Sequence, residues 1–355
     1  MDICNVSTID PLNNRSWDEF VYSHPFGWLY HTSAWVEILE SSFKHMTPLY
    51  LALVDKNTDE INAALPLFHV RSWIISNRLV SLPYATLCDP LVSIKEEFRT
   101  LLESAINFQK KTKSEYTQIG VFKSRELVGD YKVSLRSDFK NHYLLLNREQ
   151  QELLKGVKRT VKQAIRQAEE AKVEISEGTE ERDLKEFYKL YLKTRKRLSL
   201  PPQPYRFIRA LWQSLYHRGY LTLLIARCQD RDIAAIILLK FKDQVSAEYL
   251  VSDEDYFYLR ANHLLVWRSI ELAREEGFRI FDFGRTHQAN TGLLRFKRAW
   301  GAIETDLFHA FHPDGNSSLA IERNERKLRF ISSLCRTLPN PAFRALGYLC
   351  HRHHG

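Results

Sequence analysis

At 355 residues, with 44% hydrophobic residues and a formal net charge of +8, the chain is long enough for two ordinary domains that each bury a core. Its 20 Phe, 16 Tyr and 7 Trp exclude a disordered polymer, and five cysteines far apart in sequence exclude a disulfide framework and point to a reducing compartment. Residues 1–14 include Asp2 and lack both a basic leader and an apolar stretch, and no apolar run approaches the ~20 residues of a membrane helix, so a soluble cytoplasmic protein is expected.

The spacing predicts short helices over 17–23 and 33–42, a hairpin of 50–54 with 63–68, and strands at 78–82 and 116–122. Between those two strands, Phe98, Leu101, Leu102, Ala105 and Ile106 recur at helical spacing over 96–111. A second hairpin-like pair, 132–136 with 142–146, closes the first half. One long two-faced helix over 149–172 follows, with Leu153, Leu154, Val157, Val161, Ile165 and Ala168 on its apolar side and Lys155, Arg159, Lys162 and Arg166 opposite. The second half reads as strand 173–175, helices 182–198 and 205–217 around a Pro-Pro-Gln-Pro loop, strands 221–227, 233–241 and 245–251, helix 262–276 and strand 278–283.

These elements support an α+β chain with mainly antiparallel, mixed sheets, divided into 1–147, 148–312 and a tail, 313–355. The tail is basic, with seven Lys or Arg against two Glu over 321–355, and reads as amphipathic helix broken by Pro339 and Pro341, with Leu328, Phe330, Ile331, Leu334 and Leu338 apolar. It suits a membrane surface or the protein's own body. His351, His353 and His354 cluster at the end without partners in the sequence, and no metal site is indicated.

The densest chemistry lies in residues 279–301, RIFDFGRTHQANTGLLRFKRAWG. An alternating strand ends at Gly284, a polar loop with Arg285, Thr286, His287, Gln288 and Asn290 follows, and Arg295 to Trp300 then place three cations and two aromatics before Gly301 permits a reversal. An anion fits such a segment. A plainer reading makes it a strand, a surface loop and a cationic turn with Phe296 and Trp300 filling the core. Asp282-Phe283-Gly284 is no kinase motif, because no glycine-rich loop precedes it and no His-Arg-Asp loop exists.

FDFGRT, a short polar loop and GL-x-x-FK-x-x-WGA resemble the signature near the end of the second domain in the FemAB-like branch of the GNAT-fold N-acyltransferases. The resemblance takes in LVSLPY at 79–84, the basic helix at 155–172 and TRKRLSLPPQP at 194–204, from Trp17 to about His312. It implies tandem GNAT-like domains with the active cleft in the second, and transfer of an acyl or aminoacyl group to an amine of a cell-envelope glycan, glycopeptide or lipid-linked precursor. It links Lys297 with the transfer step, where a cation can steady the oxyanion, and makes Phe296 a pocket wall. Arg285 can clamp a phosphate with Thr286 and Trp300 beside it, and Asp282 can serve as base, orient the amine or pair with Arg285. Arg195 would form a basic lip, and Lys155 and Arg159 would face a phosphate.

Two departures shape these expectations. The turn 256–261 lacks the glycines that give backbone N–H groups to the CoA pyrophosphate, which leaves aminoacyl-tRNA or acyl-CoA as donor with no cofactor tightly bound. Trp35 is followed by Val36-Glu37 where peptidoglycan-bridge members carry a lysine, so the acceptor can differ from the usual precursor, as in exopolysaccharide-associated relatives. The alternative reading is a non-catalytic basic module that holds nucleic acid or the inner face of an anionic membrane.

Overall fold

The computed structural model describes residues 4–73, 76–147, 150–313 and 334–353. They divide into two units, one of Met1–Asp138, Leu307–Leu334 and Arg344–Gly355, the other of Phe139–Asp306 and Cys335–Phe343. One division between these units falls at Asp138/Phe139, inside a strand.

In the first unit the strands are β1 (Cys4–Ile9), β2 (Met46–Asp55), β3 (Ile61–Val70), β4 (Arg78–Ser81) and β5 (Tyr116–Val121), β2 to β5 being mostly runs of consecutive buried residues, joined at the sheet's far side by the end of β12 (Ile303–His312). The helices are α1 (Trp17–Ser23), α2 (Ser33–Ser42), α3 (Lys95–Lys111) and α4 (Arg125–Val128). Phe98, Leu101, Leu102 and Ala105 on α3 are wholly buried against Leu65, Leu67, Ile119 and their neighbours, which is why helical spacing located α3 correctly. β1 and β12 have no counterpart in the expected elements. Glu304, Thr305 and Asp306 stand in succession in β12, a run too polar to read as a strand.

Of the terminal histidines expected to lack partners, His351 and His353 have them, and His354 lies outside the described residues. His351 Nδ1 lies 3.0 Å from the Tyr84 hydroxyl and His353 Nδ1 lies 3.2 Å from Ser72 Oγ. Both follow from a last helix, α11 (Asn340–His351). The tail's Leu328, Phe330 and Ile331 lie outside the described residues.

In the second unit the sheet runs β6-β11-β10-β9-β8-β7, formed by β6 (Ser134–Leu145), β7 (Glu174–Gly178), β8 (Leu221–Cys228), β9 (Arg231–Phe241), β10 (Gln244–Ser252) and β11 (Ile280–His287). Its helices are α5 (Gln150–Gly156), α6 (Arg159–Glu170), α7 (Glu181–Arg197), α8 (Tyr205–Leu215), α9 (Ala261–Glu275) and α10 (Thr291–Arg298). Val157, Val161, Ile165 and Ala168 join one core with Leu264, Leu265, Phe281 and Trp300. Burying each large aliphatic there contributes about 1.5–3 kcal/mol.

Two expected elements are corrected. The pair 132–136 and 142–146 is one continuous strand, β6, because its ladder with β11 spans Phe139 to Leu145. The single helix 149–172 is two, since Lys158 is extended (φ −60°, ψ 147°) and its N–H donates to Ala299 O at 2.9 Å. A tertiary hydrogen bond there replaces one turn of helix.

Candidate active site

The chain from Arg279 onward forms a central strand, and the site grows from how that strand is deformed. β10 and β11 are parallel, yet their ladder covers only Gln244–Ser246 against Ile280–Asp282, although both strands run on. Each bulges at the point where pairing stops. On β10 the register with β9 shifts between Ala247 and Tyr249, leaving Glu248 out. On β11 it shifts between Asp282 and Arg285, so Phe283 and Gly284 oppose the single residue His142. Gly284 adopts φ +71°, the left-handed region that glycine enters without strain.

Gly284 therefore does not end the strand, as expected, but bulges it, and Arg285 to His287 resume pairing with Asn141 to Phe139. The expected polar loop shrinks to a short turn in which Asn290 caps α10, its Oδ1 accepting from Leu293 N at 3.1 Å.

Asp282, 1% exposed, fixes the bulge: one carboxylate oxygen accepts from Gly284 N at 2.8 Å and the other from Gln244 Nε2 at 3.2 Å. α10 lays Lys297 over the deformation. Its Nζ donates to Gly284 O at 2.6 Å and to Arg285 O at 3.4 Å, and the residue is 5% exposed. Burial pulls the Lys297 ammonium down to about 8, against the opposing pull of Asp282 and then Glu248. A lysine that titrates near neutrality can donate hydrogen bonds as a cation or exchange its proton.

Behind it stands a group that the sequence reading missed. His142 Nε2 lies 2.9 Å from Glu304 Oε2, and Arg298 clamps the same carboxylate with Nε at 2.6 Å and Nη2 at 2.8 Å. The clamp holds Glu304 down to about 2, chiefly through the Arg298 hydrogen bond. Burial, and next the Lys297 charge, lower His142, so its imidazole stays neutral. With Nε2–H donated to Glu304, the Nδ1 lone pair is left, buried and without a hydrogen bond among the described residues. Only Arg298 and Glu304 are close in sequence, and nothing local marks His142.

The remaining expected residues scatter. Thr286 is 2% exposed, with Oγ1 lacking a hydrogen bond among the described residues. Trp300 is wholly buried, its ring 6.2 Å from Phe296 and 6.3 Å from Phe283, so it sits in the core. Arg285 is exposed, its guanidinium 5.1 Å from the Phe139 ring centroid. Arg195 donates Nε at 3.2 Å and Nη2 at 2.8 Å to Pro201 O, which spends its fork on holding the Pro-Pro-Gln-Pro loop. Lys155 and Arg159 are exposed on α5 and α6.

Phe296, half-buried, lines a cleft of about 220 Å³ at the start of α9 with Ser252, Asn262 and His263. The turn leading into it, a 3-10 turn over Glu254–Leu259, ends in Arg260 at φ +57°. Asn262 Oδ1 and His263 Nδ1 are buried there without a hydrogen bond among the described residues. A neighbouring cleft of about 560 Å³ shares Ser252 and Asp253 and adds Lys193, Lys196, Arg197 and Arg336.

Asp282→Asn is expected to lower Lys297 further below about 8, because it removes the larger of the two charges holding the ammonium up. It should also cost about 1–3 kcal/mol, since an amide nitrogen would meet the Gln244 amide. Urea unfolding and a pH titration of Lys297 by NMR check both; an unshifted titration would mean that Asp282 is not its electrostatic partner.

The described residues contain no group of three His, Cys, Asp or Glu that could hold a metal, and no helix long and apolar enough to cross a membrane. Residues 155–298 match the family model described as an acetyltransferase (GNAT) domain. No protein with a curated description matches the sequence. Among solved structures, FemX is similar with TM-score 0.69 at 16% identity, covering 89% of this chain and 98% of FemX. A tandem GNAT protein from the clavulanic acid biosynthesis pathway aligns with TM-score 0.57 at 11% identity, over 87% of this chain and 98% of its own. The C-terminal domain of a putative lysylphosphatidylglycerol synthetase from Agrobacterium fabrum gives TM-score 0.56 at 12% identity, over 83% and 92%. The chain, whose residues 155–298 match the acetyltransferase (GNAT) domain model, is thus a tandem GNAT-fold α+β protein sharing the fold of FemX.

Proposed function

We propose that the protein transfers an acyl or aminoacyl group to an amine of a cell-envelope glycan, glycopeptide or lipid-linked precursor, with Lys297 steadying the oxyanion of the tetrahedral intermediate. The observation that carries this reading is the buried Lys297 ammonium, held on the carbonyls of a bulged strand where β10 and β11 part. A fixed cation in a nearly dry setting needs no reorganisation as charge develops on the carbonyl under attack. Asp282 then positions the ammonium through the bulge, and Phe296 walls the cleft where the donor's acyl end would lie. The name of one structural neighbour, a putative lysylphosphatidylglycerol synthetase, supports aminoacyl transfer as the reaction class and does not bear on the amine acceptor.

The entry to α9, residues 256–261, has no glycine to let a pyrophosphate approach the backbone closely, which supports aminoacyl-tRNA over CoA as donor. Mass spectrometry of ligands that copurify with the protein, followed by transfer assays with aminoacyl-tRNA and with acyl-CoA against amine acceptors, tests this. Aminoacyl transfer that stops on loss of Lys297 is expected, and transfer that persists without Lys297 defeats the assignment. The competing reading, a basic binding module, draws on exposed Lys155 and Arg159 but gives no reason for a desolvated lysine. It predicts affinity that falls steeply with salt and ignores Lys297.

A further inference from the structure

Trp73, in the loop joining β3 to β4, is 86% exposed, an unusual place for the largest amphipathic ring a protein carries. The ring is held in position. It meets the His353 ring edge-on at 5.3 Å, while His353 Nδ1 lies 3.2 Å from Ser72 Oγ and the His353 carbonyl accepts from Arg78 Nη2 at 3.3 Å. The end of the chain is thereby tied to the base of the Trp73 loop, which brings the last turns of α11 beside it.

On those turns Arg344, Ala345, Tyr348, Leu349 and Arg352 are all exposed, and the alternate positions Phe343, Gly347 and His351 are buried. The exposed positions fall on one helical face. Tyr348 is 44% and Leu349 55% exposed, so the face is apolar along its middle and cationic at both ends. Arg71, at the base of the Trp73 loop, is exposed as well. Neither 69–81 nor 334–355 contains an Asp or Glu.

We propose that this face of the first unit lies on an anionic phospholipid bilayer. Trp73, Tyr348 and Leu349 enter the boundary between headgroups and acyl chains, and Arg71, Arg344 and Arg352 face the lipid phosphates. Two features select this partner. Trp and Tyr rings are the side chains that settle at the depth where one end is apolar and the other wet. Arginines flanking an apolar stripe, in two segments whose own sequence holds no Asp or Glu, match a surface that is uniformly negative and let their stems lie along the hydrocarbon edge. The inference is independent of the acyl-transfer reading and uses none of its residues.

Flotation of the full chain with phosphatidylcholine vesicles, with and without phosphatidylglycerol, tests it. Binding is expected only to the vesicles containing phosphatidylglycerol, and to weaken as salt rises. Trp73→Ser combined with Leu349→Ser should cut that binding about tenfold, and Arg344→Glu with Arg352→Glu should abolish it. Both pairs should keep the thermal midpoint of the parent. As a second readout, brominated acyl chains should quench the parent's tryptophan fluorescence more than that of Trp73→Phe. No preference for phosphatidylglycerol, equal binding by the variants, equal quenching, or a vesicle-free dimer that Trp73→Ser splits would each overturn the proposal.

Discussion

Replacing Lys297 by Met is expected to lower the rate of transfer by about a hundredfold to a thousandfold, the usual effect of removing one oxyanion donor, with the change mainly in kcat. The methionine keeps the buried stem and removes only the ammonium that donates to Gly284 O and Arg285 O. In the parent protein, activity should decline as pH rises through about 8, where the buried ammonium gives up its proton. Stability should move the other way. The folded-state value, about 8, lies below the ordinary 10.5, so between these two pH values the unfolded chain holds the extra proton. Wild-type stability therefore rises across that window, by about 3 kcal/mol if the whole shift is realised, and the penalty is fully present below it. The lost hydrogen bonds offset the Met variant by an amount that does not depend on pH. Urea unfolding at pH 7 and pH 10 should consequently show the parent gaining on the variant. Equal pH dependence in the two proteins would mean that the ammonium is not desolvated as described.

The second large effect concerns a residue outside the chemistry. Gly301→Ala is expected to destabilise the protein by about 3 kcal/mol and to abolish transfer with it. Gly301 sits at φ +75°, and a Cβ built there would lie 2.7 Å from Gly156 O and 3.1 Å from Gly156 C, both backbone atoms that cannot swing aside. The clash falls where the end of α10 meets the break between α5 and α6, next to the hydrogen bond from Lys158 N to Ala299 O. Relieving it must shift α10, and α10 carries Lys297. Gly292→Ala provides the contrast, since its Cβ would meet only Asn290 Oδ1, at an ordinary 3.8 Å, inside the first turn of α10. That change should be neutral or stabilising by about 0.5–1 kcal/mol. Thermal melts of the two variants compare them directly, and a Gly301→Ala protein as stable as the parent would refute the close approach.

Elements whose apolar period is local were legible before folding. α3 buries one face, which a period of three to four residues records, and β2 and β3 are continuous apolar runs buried on both faces and bounded by a polar turn, which also reads locally. The stretch around Phe296 and Lys297 was legible as chemistry because cations, aromatics and glycines crowd together there. The length of β6, the break at Lys158 and the strand character of β12 were not. Each depends on a partner far away: β11 for β6, Ala299 for Lys158, and His142 and Lys140 for the acids of β12, which they pair at 2.9 and 2.7 Å. Alternation in Phe281 and Phe283 also pointed to a strand covered on one face, whereas Asp282 between them is buried too.

The sequence by itself thus determined the order and kind of most elements, the α+β class, and which short segment holds the unusual side chains, because these follow from nearest neighbours along the chain. Tertiary structure alone decided that Gly284 bulges a strand instead of ending it, that His142 and Glu304 stand behind Lys297, and that the lysine loses its water. Desolvation and the field of distant charges are sums over everything that surrounds a group, and no local period in a sequence records them.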